Sequence, residues 1–270
     1  MFMTENDLND LETAVKLLEN PGIGTKIAAI VGTPIEKAIA LLPRKATATI
    51  GSAAQKAVYS ALKLSLKTLH HYDPGSDGEP PKASNWWHMA ATATTGAVGG
   101  AFGLLALSIE LPISTTIMMR SIADVARSEG ADMHDPQTQL ECVQVLAFGG
   151  PSNQDNAVEI GYFIAREAMT KAVSEAAAHI AKNGLQKEIS PAIVRLITQI
   201  AERYTINVTE KTVAQLIPVI GAIGGALINT AFIDHFQNMA RGHFSIRRLE
   251  RKYGSEFVHQ KYDELKLSTG

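Results

Sequence analysis

The chain has 270 residues and a net charge of −2 at pH 7, a length that fits one large domain or two small ones. A chain without net positive charge is not a general nucleic-acid binder, so no nucleic-acid partner is expected. The single cysteine, Cys142, excludes an internal disulfide and a cysteine-based zinc site. The acidic N-terminal sequence MFMTENDLNDLE is not typical of a signal peptide, which indicates a cytoplasmic protein.

The first part of the chain has apolar residues at helical spacing. Residues 8–18 form the first predicted helix. A short helix is predicted between Pro34 and Pro43, and a long helix over residues 46–70. Residues 71–85, HYDPGSDGEPPKASN, are rich in proline and glycine and predict a loop that separates this part from the rest.

The second part begins with an uncharged segment, residues 89–109. Glu110 interrupts it, and Pro112 is expected to start a new helix. Asp135 and Pro136 are an N-cap and a first-turn proline for the next helix. Further helices are predicted over residues 153–182, 191–204 and 210–253, the last with a break at Pro218. No segment alternates as a strand would, so the predicted fold class is all-α, with roughly eight to ten helices.

Two glycine-rich motifs, GAVGGA at 96–101 and GAIGGA at 221–226, lie in uncharged segments. Neither has the lysine and hydroxyl residue of a phosphate loop. Glycines four residues apart form a smooth helix face, and each mid-helix glycine costs about 0.5–1 kcal/mol that close packing must recover. We therefore expect the two segments to meet as a central helix pair. The packing candidates are Gly96, Gly99, Gly100, Gly103, Gly221, Gly224 and Gly225.

Both segments are long enough to cross a membrane, about 30 Å at a rise of about 1.5 Å per residue. Residues 90–109, however, contain only six strongly apolar side chains. At about −0.3 to −0.6 kcal/mol each, they favour insertion by only about −2 to −4 kcal/mol. The composition therefore favours a core buried in protein over a permanent span. Conditional insertion or shallow membrane contact stays open.

Two features are candidates for contact with a membrane surface. Trp86 and Trp87 precede an apolar segment and fit an interfacial anchor, or else cover one end of the bundle. A basic stretch with an apolar stripe can lie on anionic lipid, although docking of the stripe on the core explains it equally well. The candidate cations in this stretch are Arg247, Arg248, Arg251 and Lys252.

The polar residues inside apolar segments allow a second interpretation. Arg120 and Asp124 are four residues apart, and Glu110 lies upstream of them. A buried charge needs a partner, so we expect Arg120 to be buried and bonded to Asp124 or Glu110. Together with Asn229 these residues are the alternative catalytic candidates, around a polar pocket of an enzyme of unknown reaction. The structural alternative is an ion pair that holds the bundle together. No metal or cofactor is expected.

The order of several blocks resembles the EcsC protein family. The matching blocks are LLPRKATATIGSAAQKAV, GAVGGAFGLLALSIELPISTTIMMRSIADVARSEG, PQTQLECVQVLAFGG and IPVIGAIGGALINTAFIDHFQNMARGHFSIRRLERKYG, within about residues 20–253. The resemblance implies a bacterial, cytoplasmic, all-helical protein with one domain over residues 1–270. The family is named from an operon that encodes an ABC exporter, and it has no established activity.

These observations lead to one main functional prediction. The protein is expected to be non-enzymatic and to associate with the cytoplasmic face of a membrane. There it would bind anionic lipid or a membrane-protein partner, such as an ABC exporter, in transport or secretion. The alternatives are the enzyme described above and a purely soluble adaptor. The ligand and the oligomeric state stay open.

Overall fold

The computed structural model describes residues 2–19, 22–32, 35–68, 100–149, 161–184, 190–215 and 221–269. Over these ranges the chain forms ten α-helices, one 3-10 turn and no strand, which confirms the all-α prediction. The elements are α1 (Glu5–Leu18), α2 (Ile23–Val31), α3 (Glu36–Ala40), α4 (Arg44–Thr68), α5 (Gly100–Ser128), α6 (Pro136–Gln144), η1 (Val145–Ala147), α7 (Tyr162–Asn183), α8 (Pro191–Gln215), α9 (Gly221–Tyr253) and α10 (Ser255–Thr269). The predicted loop at 71–85, the two tryptophans and the predicted break at Pro218 lie outside the described residues.

Several helix boundaries follow from local chemistry. The Thr4 hydroxyl accepts a hydrogen bond from the Asp7 backbone N–H at 3.3 Å and so caps α1. Asp135 caps α6 in the same way, through the Gln137 N–H at 3.0 Å, as predicted. Gly254 ends α9 with φ of 87°, a conformation that glycine adopts without strain. The turn at Gly254 leads into α10, a helix that the sequence patterns did not predict.

The centre of the bundle is built from α8 and α9. Helix α8 packs against α2, α3, α4, α7 and α9, and α9 also packs against α1, α2, α5 and α10. The predicted inward face of α4 is confirmed. Its members are buried: Ile50, Ala54, Ala57, Ala61 and Leu62. Small side chains on this face let α4 approach α5 and α8 closely.

Helix α8 is longer than predicted. It continues past Tyr204 to Gln215, although the intervening sequence is rich in threonine. Three threonine hydroxyls donate to the carbonyl oxygen four residues earlier, from Thr205, Thr209 and Thr212, at 2.6–2.7 Å. These bonds satisfy the threonine hydroxyls inside the bundle. The prediction of an end near Tyr204 was wrong because the burial of the helix outweighs the low helix propensity of threonine.

The predicted break at Pro112 is also absent. Helix α5 passes through Pro112 without interruption. The Thr116 hydroxyl donates to the Pro112 carbonyl oxygen at 2.8 Å, and the Ser114 hydroxyl donates to the Leu111 carbonyl oxygen at 3.0 Å. Proline removes one backbone donor from a helix, and packing of α5 against α4 and α9 holds the helix together at this point.

The two helices that begin in the glycine-rich segments, α5 and α9, pack against each other. Their hydrogen bonds lie away from the glycines, for example from Gln237 Nε2 to Ser121 Oγ at 2.8 Å. At Gly225, no described atom lies within 4 Å of the position that a Cβ would take. Because the predicted partner patch at 96–103 falls outside the residues and side chains that the structure describes, packing at Gly225 also stays a prediction. Gly96 and Gly99 lie outside the described residues. Packing at Gly100, Gly103, Gly221 and Gly224, in the first turns of the two helices, stays a prediction.

The membrane question concerns the same helices. Among the described residues, no helix combines the length and the apolar character that crossing a membrane requires.

Candidate functional site

The four predicted catalytic candidates do not form one pocket. The Asp124 carboxylate is exposed and binds Arg127, at 3.0 Å, rather than Arg120. Arg120 is half-buried and makes no ion pair within the described part of the chain. The predicted pairing of Arg120 was therefore wrong. The prediction rested on the spacing of four residues between Arg120 and Asp124. Arg127 lies three residues from Asp124, a spacing that also allows an ion pair on one helix face.

Glu110 and Asn229 instead face the last turns of α8. Glu110 Oε1 lies 3.8 Å from Lys211 Nζ, and Asn229 Oδ1 accepts a hydrogen bond from Gln215 Nε2 at 3.3 Å. Lys211 and Gln215 are four residues apart and so lie on one side of α8. The structure brings two of the four sequence candidates to one place, through partners that the sequence did not single out.

A third contact extends this polar line into the core. The hydroxyl oxygens of Thr115 on α5 and Tyr204 on α8 are hydrogen-bonded at 2.7 Å, and both side chains are fully buried. Tyr204 and Lys211 are seven residues, or about two turns, apart on the same stripe of α8. We call this line the polar seam. Its members are Glu110, Thr115, Tyr204, Lys211, Gln215 and Asn229.

Lys211 is the charged centre of the seam. Its side chain is only 5% exposed, and the ring centroid of Phe232 lies 4.8 Å from its Nζ. Burial lowers the pKa of Lys211, and the negative charge of Glu110 acts in the opposite direction. Because the two charged atoms are farther apart than a hydrogen bond, the carboxylate compensates only part of the cost of burying the ammonium group.

Asn207 lies on the same stripe of α8, between Tyr204 and Lys211. Its side chain is fully buried, and neither its amide nitrogen nor its amide oxygen has a hydrogen-bond partner in the described structure. An unpaired buried polar group of this kind costs about 1–3 kcal/mol. Stability alone therefore does not explain an asparagine at this position.

Glu210, one residue before Lys211, contacts the first turn of α2. Burial raises the pKa of Glu210 to about 7, while a hydrogen bond from the Gly24 backbone N–H opposes the rise. A Cβ at position 24 would lie 2.6 Å from Glu210 Oε1, so this close approach requires glycine or a shift of the glutamate. Glu210 Oε2 has no hydrogen-bond partner among the described residues.

A second buried cluster joins α6, α7 and α9. Arg247 donates to Glu141 at 2.8 and 3.0 Å and to Glu250 at 2.9 Å. Arg166 donates to the same Glu250 oxygen at 2.8 Å. Each charge in this cluster has direct partners of opposite sign, so the arrangement serves to fix three helices relative to one another.

The other predicted lipid-binding cations also have partners within the chain. Arg248 binds Asp7, Asp10 and Glu129 at 3.2, 2.7 and 2.7 Å. Lys252 binds Asp7 at 2.6 Å. Arg251 donates to the Glu129 carbonyl oxygen at 2.8 Å. The opposite charges of the two chain ends thus meet directly, where α1 packs against α9.

Arg247, Arg248, Arg251 and Lys252 therefore each bind a group of the chain itself, although Arg251 and Lys252 are exposed at the surface. Their contact with lipid stays a prediction. Half-buried Glu175 on α7 binds exposed Arg195 on α8 at 2.9 Å. Within the described ranges, no three His, Cys, Asp or Glu side chains are grouped as a metal site.

Comparison with known proteins identifies a family and no nearer relative. No curated protein and no solved structure matches the chain. The family model described as the EcsC protein family matches residues 5–249. The match begins at the first residue of α1 and ends within α9, so it includes the whole polar seam and, of the ion-pair clusters, all members up to residue 249. The chain therefore belongs to the EcsC protein family.

Proposed function

We propose that the protein is non-catalytic and binds anionic lipid at the cytoplasmic face of a membrane, through the corner between α3 and α4. This corner, residues 35–45, is the surface on which the proposal rests. Leu41 is 82% exposed there. Three exposed cations accompany it, Lys37, Arg44 and Lys45, and none of them has an ion-pair partner in the described structure.

The charge of the corner distinguishes it from the basic stretch of α9. Three cations stand against one acid, Glu36, which leaves the corner with two net positive charges. Each basic residue near an anionic surface contributes about 1 kcal/mol, and burial of a leucine contributes about 2 kcal/mol. With Glu36 counted against the cations, the sum is about 4 kcal/mol, which corresponds to weak, reversible binding in the millimolar range. Salt should weaken this binding, because it screens the electrostatic part.

The arrangement of the catalytic candidates favours a non-catalytic function. Arg120 and Asp124 lie apart from the seam, and the remaining candidates, Glu110 and Asn229, are occupied by Lys211 and Gln215. The corner could instead bind a membrane protein. The ABC exporter from whose operon the family is named is one such partner to test.

Sedimentation with lipid vesicles tests the proposal. The wild-type protein should bind phosphatidylglycerol vesicles at low salt, release them at high salt, and ignore phosphatidylcholine vesicles. Changing Lys37, Arg44 and Lys45 together to Gln should abolish binding, and Leu41→Ser should weaken it.

The matched control removes three exposed cations elsewhere by changing Lys56, Lys171 and Lys182 to Gln. This control should bind as the wild type does. An equal loss of vesicle binding in both triple variants would show that only net charge matters, and would refute the corner as the binding surface. Failure of the wild type to bind anionic vesicles would refute the lipid function. Binding to native membranes but not to pure lipid would assign a membrane-protein partner instead.

A further inference from the structure

Helix α10 covers a surface between the end of α1 and the first turn of α7. The Phe163 ring on α7 stacks on the His259 ring, with centroids 3.9 Å apart, and meets the Tyr262 ring edge-on at 4.9 Å. In the described part of the chain, these two are the aromatic neighbours that Phe163 has outside α7. The burial of Phe163, which is only 8% exposed, therefore depends on α10.

A carboxylate beside this aromatic ring completes the surface. Glu19 accepts hydrogen bonds from the Tyr262 hydroxyl at 2.7 Å and from Lys266 Nζ at 2.6 Å. A Cβ at position 161 would lie 2.9 Å from Lys266 Nζ, so the glycine at this position leaves room for the amine. We call Glu19, Gly161 and Phe163 the α10 surface.

Three observations mark α10 as an element that can separate from the bundle. Its binding groups, at positions 259, 262 and 266, are three and four residues apart and lie on one helix face, as in a helix that docks in a groove. Gly254, with φ of 87°, interrupts the helical chain between α9 and α10. The family match ends at residue 249, so it includes the whole α10 surface but not α10 itself.

We propose that the α10 surface docks a helix of a partner protein, and that α10 is its intramolecular competitor. The partner helix presents two aromatic side chains and one amine at the spacing found in α10. A tethered helix has an effective concentration on the order of millimolar. The partner therefore binds only those molecules in which α10 is released, and its apparent affinity is reduced in proportion to their fraction.

Native-state hydrogen exchange in the wild-type chain tests whether α10 is released. In urea concentrations too low to unfold the protein, the amides of α10 should exchange through an opening that leaves the amides of α9 protected. Exchange of α10 only together with α9, in global unfolding, would overturn the proposal.

Binding of a synthetic peptide with the sequence of residues 255–269 tests the surface. Fluorescence anisotropy compares the wild type with a full-length Tyr262→Ala, Lys266→Ala variant that has a native circular dichroism spectrum. This variant keeps the α10 surface but weakens its own α10, so it should bind the peptide at least about tenfold more tightly than the wild type. Adding Phe163→Ala to the variant should abolish binding. Equal affinity for variant and wild type, or binding that survives Phe163→Ala, would overturn the proposal.

The matched control changes two exposed residues of α10, Gln260 and Leu267, to Ala. It should bind the peptide as weakly as the wild type does, and binding as tight as in the Tyr262→Ala, Lys266→Ala variant would overturn the assigned contacts. Size-exclusion chromatography distinguishes a second copy of the chain as the occupant. A wild-type dimer that the peptide dissociates would show exchange of α10 between two copies and would overturn the partner protein.

Discussion

Replacement of Glu210 by Gln should change how the stability of the protein depends on pH. Glu210 is buried, and its pKa in the folded protein is raised from 4.5 to about 7, mainly by burial. A shift of this size corresponds to about 3 kcal/mol of unfavourable free energy when the carboxylate is ionised. Gln has nearly the same shape, and its amide oxygen can still accept the hydrogen bond from the Gly24 N–H.

The direction of the pH effect follows from the raised pKa. Between pH 4.5 and 7 the folded state binds more protons at Glu210 than the unfolded state does, so stability falls as pH rises. Below pH 4.5 both states are protonated, and Gln and wild type should differ little. Above pH 7 the buried carboxylate is ionised in the wild type, and Glu210→Gln should be more stable by about 3 kcal/mol.

Thermal unfolding at a series of pH values measures this difference. For a chain of this size, about 3 kcal/mol corresponds to a rise in Tm of roughly 6–12 °C. The difference in Tm between variant and wild type should grow from pH 4.5 to pH 8. Glu202→Gln, on the exposed side of the same helix, is the matched control and should show no such growth. If the difference in Tm between Glu210→Gln and the wild type is constant with pH, the raised pKa of the buried Glu210 carboxylate is refuted.

Two further predictions concern stability. Asp7→Asn should lower the free energy of unfolding by about 1.5–3 kcal/mol at pH 7, because the buried carboxylate loses its bonds to Lys252 and Tyr253. The pKa of Asp7 is lowered in the folded protein, so this destabilisation should shrink as the pH falls through the lowered pKa. A destabilisation that is independent of pH would contradict the prediction. Two glycines of α9 give a matched pair: Gly225→Ala should stabilise by about 0.5–1 kcal/mol, whereas Gly242→Ala should destabilise by about 1–3 kcal/mol, because its Cβ would lie 2.5 Å from Leu18 Cγ. Urea unfolding measures the change in stability for each glycine variant. Effects of the same sign at the two positions would show that the space around Gly225 and Gly242 is wrongly described.

The helical fold could be predicted from the sequence because helices form through local interactions. The buried face of α4 follows from apolar spacing, and the start of α6 follows from Asp135 and Pro136. Membership of the family could also be predicted, because several long sequence blocks occur in the order that the family has. The predictions of a helix break at Pro112 and of a helix end at Tyr204 were wrong for the same reason. Both relied on weak local preferences, which the packing of a buried helix overrides.

The candidate site depended on tertiary structure. The sequence singled out Glu110 and Asn229 because they interrupt apolar segments, but nothing local marked Lys211 as buried. The opposite charges of the chain ends were visible, yet their meaning became clear only when Arg248 was found beside Asp7, 241 residues away. A helix pattern depends on spacings of three and four residues, whereas the partner and the burial of a charge depend on which helices the whole chain packs together.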